Sequence, residues 1–146
     1  MSGSFAESLN RQLQRLQNQP LPEIEAEVAA KRMAWLKEHY PQGVSNPSPR
    51  RAYELLFFEY MELEAGDVPV VAESEDRIVW ASYNPCPTLE ACVQLGLDTR
   101  VVCHEAYEKS TQVFIAYLDP HLRFRRSYET IRPYTSHCLE WIERTG

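Results

Sequence analysis

The stretch Trp80–Leu118, WASYNPCPTLEACVQLGLDTRVVCHEAYEKSTQVFIAYL, organises the reading of this chain. It holds three of the four cysteines (Cys86, Cys92, Cys103) and opens with a strand signal, Arg77–Tyr83, rich in β-branched and aromatic residues. Asn84-Pro85 stops that strand. Cys86 then falls at the N-cap of a short helix with Pro87 as its first residue, and Gly96 closes it. Asp98 caps a longer helical element from Thr99 to about Leu118, ended by Pro120. Its broad apolar face carries Val102, Cys103, Ala106, Tyr107, Val113, Phe114 and Tyr117.

Outward from this centre, the N-terminal side reads as three helices. Phe5, Leu9, Leu13 and Leu16 recur at helical spacing on an otherwise polar segment, Ser4–Gln17. A second helix runs from Pro22 to about His39, with a buried stripe of Ile24, Val28, the Lys31 stem, Trp35 and Leu36. The loop PQGVSNPSP (41–49) separates it from a third helix, Arg50–Glu64, capped by Ser48 and apolar nearly all round, which predicts a central core helix. Val68–Ala72 and Arg77–Tyr83 predict one hairpin, and Leu122–Ile131 with Ser136–Glu143 a second. In the second hairpin, Leu122, Phe124, Arg126 and Tyr128 share one face. Cys138, Glu140 and Ile142 share a face as well, opposite to His137, Leu139 and Trp141. Segregated helices and hairpins predict a single α+β domain over residues 1–146: N-terminal helices (4–66), then a cysteine-bearing part (68–146) whose helical pair packs on an antiparallel sheet.

Composition bounds the function. With 146 residues, 44% hydrophobic and 25% charged, the chain is of globular type and long enough to bury a core. A net charge of −6 argues against a nucleic-acid partner. No apolar run reaches the roughly 20 residues of a membrane helix, and no signal-peptide pattern opens the chain. The expectation is a cytoplasmic protein without a membrane partner, its cysteines held as thiols or ligands. Arg123, Arg125, Arg126 and Arg132 are interleaved with Glu129, Glu140 and Glu143, which reads as a solvated mixed-charge sheet face.

Cys86 draws the chemical interest, because a helix N-terminus lowers a thiol's pKa and offers N–H groups to an anion. The alternative is a small side chain filling a strand-to-helix corner. Cys103 reads as core or pocket, and Cys92 as core. His104 shares a helix face with Glu108 and Thr111. A fold that gathers Cys86, Cys103-His104 and His137-Cys138 would create a site.

The segments Asn84-Pro85-Cys86-Pro87, Val101-Val102-Cys103-His104-Glu105, Asp119-Pro120-His121-Leu122-Arg123-Phe124 and Ile131-Arg132-Pro133-Tyr134 up to Cys138-Leu139-Glu140-Trp141 resemble the L-2-amino-thiazoline-4-carboxylic acid hydrolase-like family. The resemblance covers roughly residues 80–142, with Cys86, Cys103 and Cys138 as the matching positions. A weaker, fold-level similarity is to four-vinyl-reductase-type ligand-binding domains, with a pocket between helices and sheet. The family resemblance implies a cysteine-dependent hydrolase acting on a C–N bond of a small cyclic amidine or thiazoline-type compound. Cys86 would be the nucleophile, His104 or His137 the base, and the helix N-terminus near Thr88 the anion holder. The second reading is a non-enzymatic domain binding a small molecule or a metal, zinc or iron, through Cys86, Cys103, Cys138 and one histidine. The third is an interaction module that forms a homodimer through its apolar third helix.

Overall fold

The computed structural model describes residues 4–146. Helix α1 (Phe5–Asn18) is capped by Ser4, whose Oγ accepts from the Glu7 N–H, and α2 (Leu21–His39) follows after Pro20. Helix α3 (Pro49–Glu54) starts on Ser48 and runs without a break into a π-helical segment, Leu55–Tyr60. Strands β1 (Val70–Ser74) and β2 (Arg77–Ser82) form the first hairpin. Helix α4 (Pro87–Leu95) comes next, then α5 (Thr99–Val102), a second π-helical segment (Cys103–Glu108) and α6 (Lys109–Leu118) as one continuous rod. Strands β3 (Leu122–Arg126) and β4 (Cys138–Arg144) complete a four-stranded antiparallel sheet in the order β1-β2-β4-β3. The protein is an α+β fold, as its segregated helices and hairpins predict.

The differences from the sequence reading are local. The third helix ends at Tyr60 rather than Glu64, because Glu62 takes a positive φ of 55° that a helix cannot continue through. The second hairpin is shorter than its apolar pattern suggests. Residues 127–137 leave the sheet, and their backbone bonds to the loop itself and to the end of β4, with the Ser127 N–H on the Leu139 carbonyl at 2.9 Å.

The third helix is a core element. Tyr53, Leu55, Leu56 and Phe57 are buried with Trp80 of β2 and Phe114 of α6 in the principal hydrophobic cluster. A fully buried Leu or Phe contributes about 1.5–3 kcal/mol of transfer free energy, so this cluster holds helices to sheet. Among the described residues, no helix is long and apolar enough to cross a membrane.

Candidate functional site

Strand pairing builds the floor of the site. In register, Ile78 of β2, Ile142 of β4 and Phe124 of β3 form one row across the sheet. The next row is Trp80, Glu140 and Arg126, and beyond it Ser82 faces Cys138. Because side chains alternate along a strand, all of these stand on the helix-covered face. The face thus passes from apolar to ionic to thiol over three rows.

Above the ionic and thiol rows lies a cavity of about 210 Å³. Cys86, Cys103 and Cys138 all line it, together with Thr88 of α4, Tyr107 and three arginines, Arg32, Arg126 and Arg132. Both π-helical segments border it, one through Leu56 and Phe57 and the other through Cys103 and Tyr107. A π turn carries an extra residue and often marks a functional site. The fourth cysteine, Cys92, is fully buried in α4 away from the lining.

Helix α4 forms as its punctuation predicts. Pro87 is preset for the first turn, and Cys86 takes an extended N-cap conformation with Sγ accepting from the Leu89 N–H at 3.4 Å. Gly96, at φ 69°, supplies the left-handed residue that ends the helix, and the Leu97 N–H bonds back to the Cys92 carbonyl at 2.9 Å. Cys86 does not gain the lowered pKa expected of a thiol at a helix start. Burial pushes its pKa up, and the Leu89 N–H and Arg132 only partly offset this. Burial also pushes Cys103 up to about 12 and Cys92 up to about 11.

The ionic row is closed on itself. Arg126 donates through Nε to Glu140 Oε2 at 2.8 Å and through Nη2 to the same oxygen. Glu140 Oε1 accepts from Trp80 Nε1 at 3.0 Å and from Ser82 Oγ at 2.7 Å. Burial alone would lower the Arg126 pKa, and the Glu140 carboxylate reverses that into a rise. The arginines read as one solvated face therefore divide. Arg123 and Arg125 are exposed, whereas Arg126 is a buried ion-pair partner and Arg132 lines the cavity.

Arg132 is fixed from several sides. Its Nη1 donates to the Asn84 carbonyl at 2.8 Å, and its own carbonyl accepts from Thr99 Oγ1 at 2.7 Å. Its backbone N–H and its Nε each point at Cys138 Sγ, both at 3.4 Å.

The sequence stripe places Lys31 inward, but on α2 it is Arg32 that faces the site. Lys31 is exposed, and Arg32 lines the cavity. The spacing Ile24, Val28, Arg32, Leu36 was the available signal, since residues four apart share a helix face. Arg32 donates through Nη1 to Thr111 Oγ1 and lies 5.9 Å over the Tyr60 ring. Its Nε is buried without any hydrogen-bond partner. Burial lowers its pKa from the usual arginine value.

Neither candidate base borders the cavity. His104 is largely exposed on the outer side of its helix, 3.9 Å from the Glu108 carboxylate and edge-on to Tyr128. His137 precedes β4, with Nδ1 3.0 Å from Ser136 Oγ and its ring against Tyr83. The metal reading does not fit either. Among the described residues no group of three or more His, Cys, Asp or Glu side chains is placed to hold a metal ion. Guanidinium groups beside the thiols also oppose a cation. The chain matches no family model, no curated protein and no solved structure.

Proposed function

We propose that this domain binds a compact small molecule carrying a carboxylate or similar anionic group. The observation that carries the reading is the Arg32 guanidinium, buried in the cavity lining with Nε unpartnered. Buried polar groups are nearly always satisfied, and a buried unpaired charge is costly, so a missing acceptor is the simplest account. Three guanidinium groups line the cavity against one carboxylate, in a protein whose net charge is −6. Thr88 and the start of α4 add further donors on one wall. The cavity of about 210 Å³ is smaller than the roughly 300–1,000 Å³ of drug-sized sites, which favours a single small ring.

A thiazoline carboxylate of the kind suggested by the family resemblance satisfies both size and charge. The hydrolytic reading is favoured by one further observation, the three thiols that line the one cavity. With His104 and His137 outside the lining, hydrolysis would need a base other than histidine.

The test is calorimetric titration and thermal shift with 2-amino-thiazoline-4-carboxylate, proline and thiophene-2-carboxylate, each beside its carboxamide. The expected outcome is stabilisation by at least one acid, none by its amide, and loss of binding in Arg32→Gln. Equal responses to acids and amides, or full binding by Arg32→Gln, would overturn the reading. Release of ammonia or ring opening during the titration would place the protein among hydrolases.

A further inference from the structure

We propose that Cys138, not Cys86, is the nucleophilic thiol of the cavity, with Arg132 as the residue that positions and polarises it. The inference deepens the small-molecule reading above and rests on it for access to the cavity.

Two observations separate Cys138 from the other thiols. First, its Sγ is the meeting point of two donors on one residue, the backbone N–H and the Nε of Arg132, each at 3.4 Å. One of these donors carries the guanidinium charge, and a cation with N–H groups directed at sulfur stabilises the thiolate, the nucleophilic form of cysteine. Cys86 receives a single neutral N–H from Leu89.

Second, Arg132 cannot easily turn away. Its Nη1 is bonded to the Asn84 carbonyl, just past β2, which holds the guanidinium, and its own backbone carbonyl accepts from Thr99 Oγ1 at the start of α5, which holds the backbone that carries it. Like Cys86 and Cys103, Cys138 lines the same cavity as Arg32, whose unpartnered Nε awaits an acceptor. An anion acceptor and a thiol thus border one small cavity. Burial raises the pKa of both Cys86 and Cys103, which leaves those two sulfurs protonated and slow at neutral pH.

The chemical class that fits is a small carboxylate bearing an electrophilic carbon. With an amidine carbon, the Cys138 sulfur forms the C–S bond, the C=N π pair moves to nitrogen, and the thiol proton ends on that nitrogen. With a haloacid, the C–S bond forms as the C–halogen bond breaks, halide leaves and the proton passes to buffer. The second reaction supplies the probe.

The full chain is treated with iodoacetate or iodoacetamide at neutral pH, and the alkylation rate at each cysteine is read by peptide mass spectrometry. Cys138 is expected to react about tenfold faster than Cys86 and Cys103. Cys92 should stay unlabelled, which certifies the fold in every variant. Arg132→Gln is expected to slow Cys138 about tenfold and Cys86, which feels the same charge without a hydrogen bond from it, by clearly less, and Arg132→Lys to restore part of the Cys138 rate.

If Cys86 or Cys103 reacts first, or Cys138 keeps its rate in Arg132→Gln with Cys92 protected, the inference is overturned. If Arg132→Gln exposes Cys92, the comparison passes to wild type, where the ranking of the three cavity thiols decides. A preference of Cys138 for iodoacetate over iodoacetamide, beyond that of free cysteine, supports both this inference and the anionic ligand. Cys138 reacting first with both reagents, without that preference, supports the thiol assignment and counts against the anionic ligand alone.

Discussion

Arg126 and Arg32 line the same cavity, and the fold treats them in opposite ways. Arg126 meets a carboxylate through two of its nitrogens, and that carboxylate is itself filled by Trp80 and Ser82. Arg32 has a threonine hydroxyl on one nitrogen, an aromatic ring beneath it and nothing on Nε. The first charge is balanced by neighbours brought in by strand pairing, and needs no ligand to be tolerated. The second is desolvated and left open. A buried charge that its own fold satisfies belongs to the architecture; one that the fold leaves unsatisfied points to a binding partner.

The strongest way to break this contrast is Glu140→Gln. The side chain keeps its size and an acceptor for Trp80 and Ser82, while an NH2 replaces the oxygen that receives Arg126, so the loss reports the charge and its two hydrogen bonds together. Removing one member of a buried pair costs about 3–5 kcal/mol, and urea denaturation should show that drop. Arg126→Met in the same background should recover most of it, because no charge is then left unpaired. A loss under about 1 kcal/mol in the single variant would mean that Arg126 finds water, and the closed cluster would not be closed.

Cys103 sharpens the comparison from a third side, because a buried group that can stay neutral avoids the problem that Arg32 cannot. Burial holds its proton to about 12, against about 8.5 in an unfolded chain. The unfolded state therefore binds fewer protons between those values, and stability falls as pH rises through that window. It is fully present below about pH 8.5. At about pH 10.5 the Cys103 contribution to the loss is about 2–3 kcal/mol. Tyr107, Tyr128 and Cys92 are shifted in the same direction, so the measurement is the difference between wild type and Cys103→Ala across the pH range. A difference that stays flat from pH 8 to about 10.5 would show that water reaches the Cys103 sulfur freely.

Much of this arrangement was legible in the sequence, because much of it is local. The Cys86-Pro87 start and Gly96 stop of α4 follow from backbone chemistry alone. Strand parity put Cys138, Glu140 and Ile142 on one face and Arg126 with Leu122 and Phe124, as the structure has them. What could not be read was the pairing of β2 with β4, which joins the two hairpins and so brings Trp80 to Glu140, 60 residues away in the chain. Without it, Arg126 and Glu140 look like members of a surface charge run. The π-helical segments leave no periodic mark, since LLFFEY and CHEAYE fit an α-helix equally well. Arg32 is hard to read for a different reason. A helix stripe allows either Lys31 or Arg32 inward, and arginine is rarely buried without a partner. The local rule failed at the residue that the proposed site depends on, as expected where function overrides packing.

That failure makes Arg32→Met the decisive small effect, because its sign is opposite to that of Glu140→Gln. Methionine keeps the apolar stem of the side chain and removes the guanidinium. Thr111 loses a donor but keeps its own bond to the Tyr107 carbonyl at 2.9 Å, so no new unsatisfied group appears. The stacking on Tyr60 is lost, which offsets part of the gain. Relief of the desolvated charge should still leave the variant about 1–2 kcal/mol more stable in the absence of ligand, by urea denaturation. A natural sequence retains a destabilising buried charge when the charge does something else, which is the usual trade between stability and activity. If Arg32→Met instead loses about 2 kcal/mol or more, Arg32 is as well satisfied as Arg126, and the cavity holds no charge in reserve for a ligand.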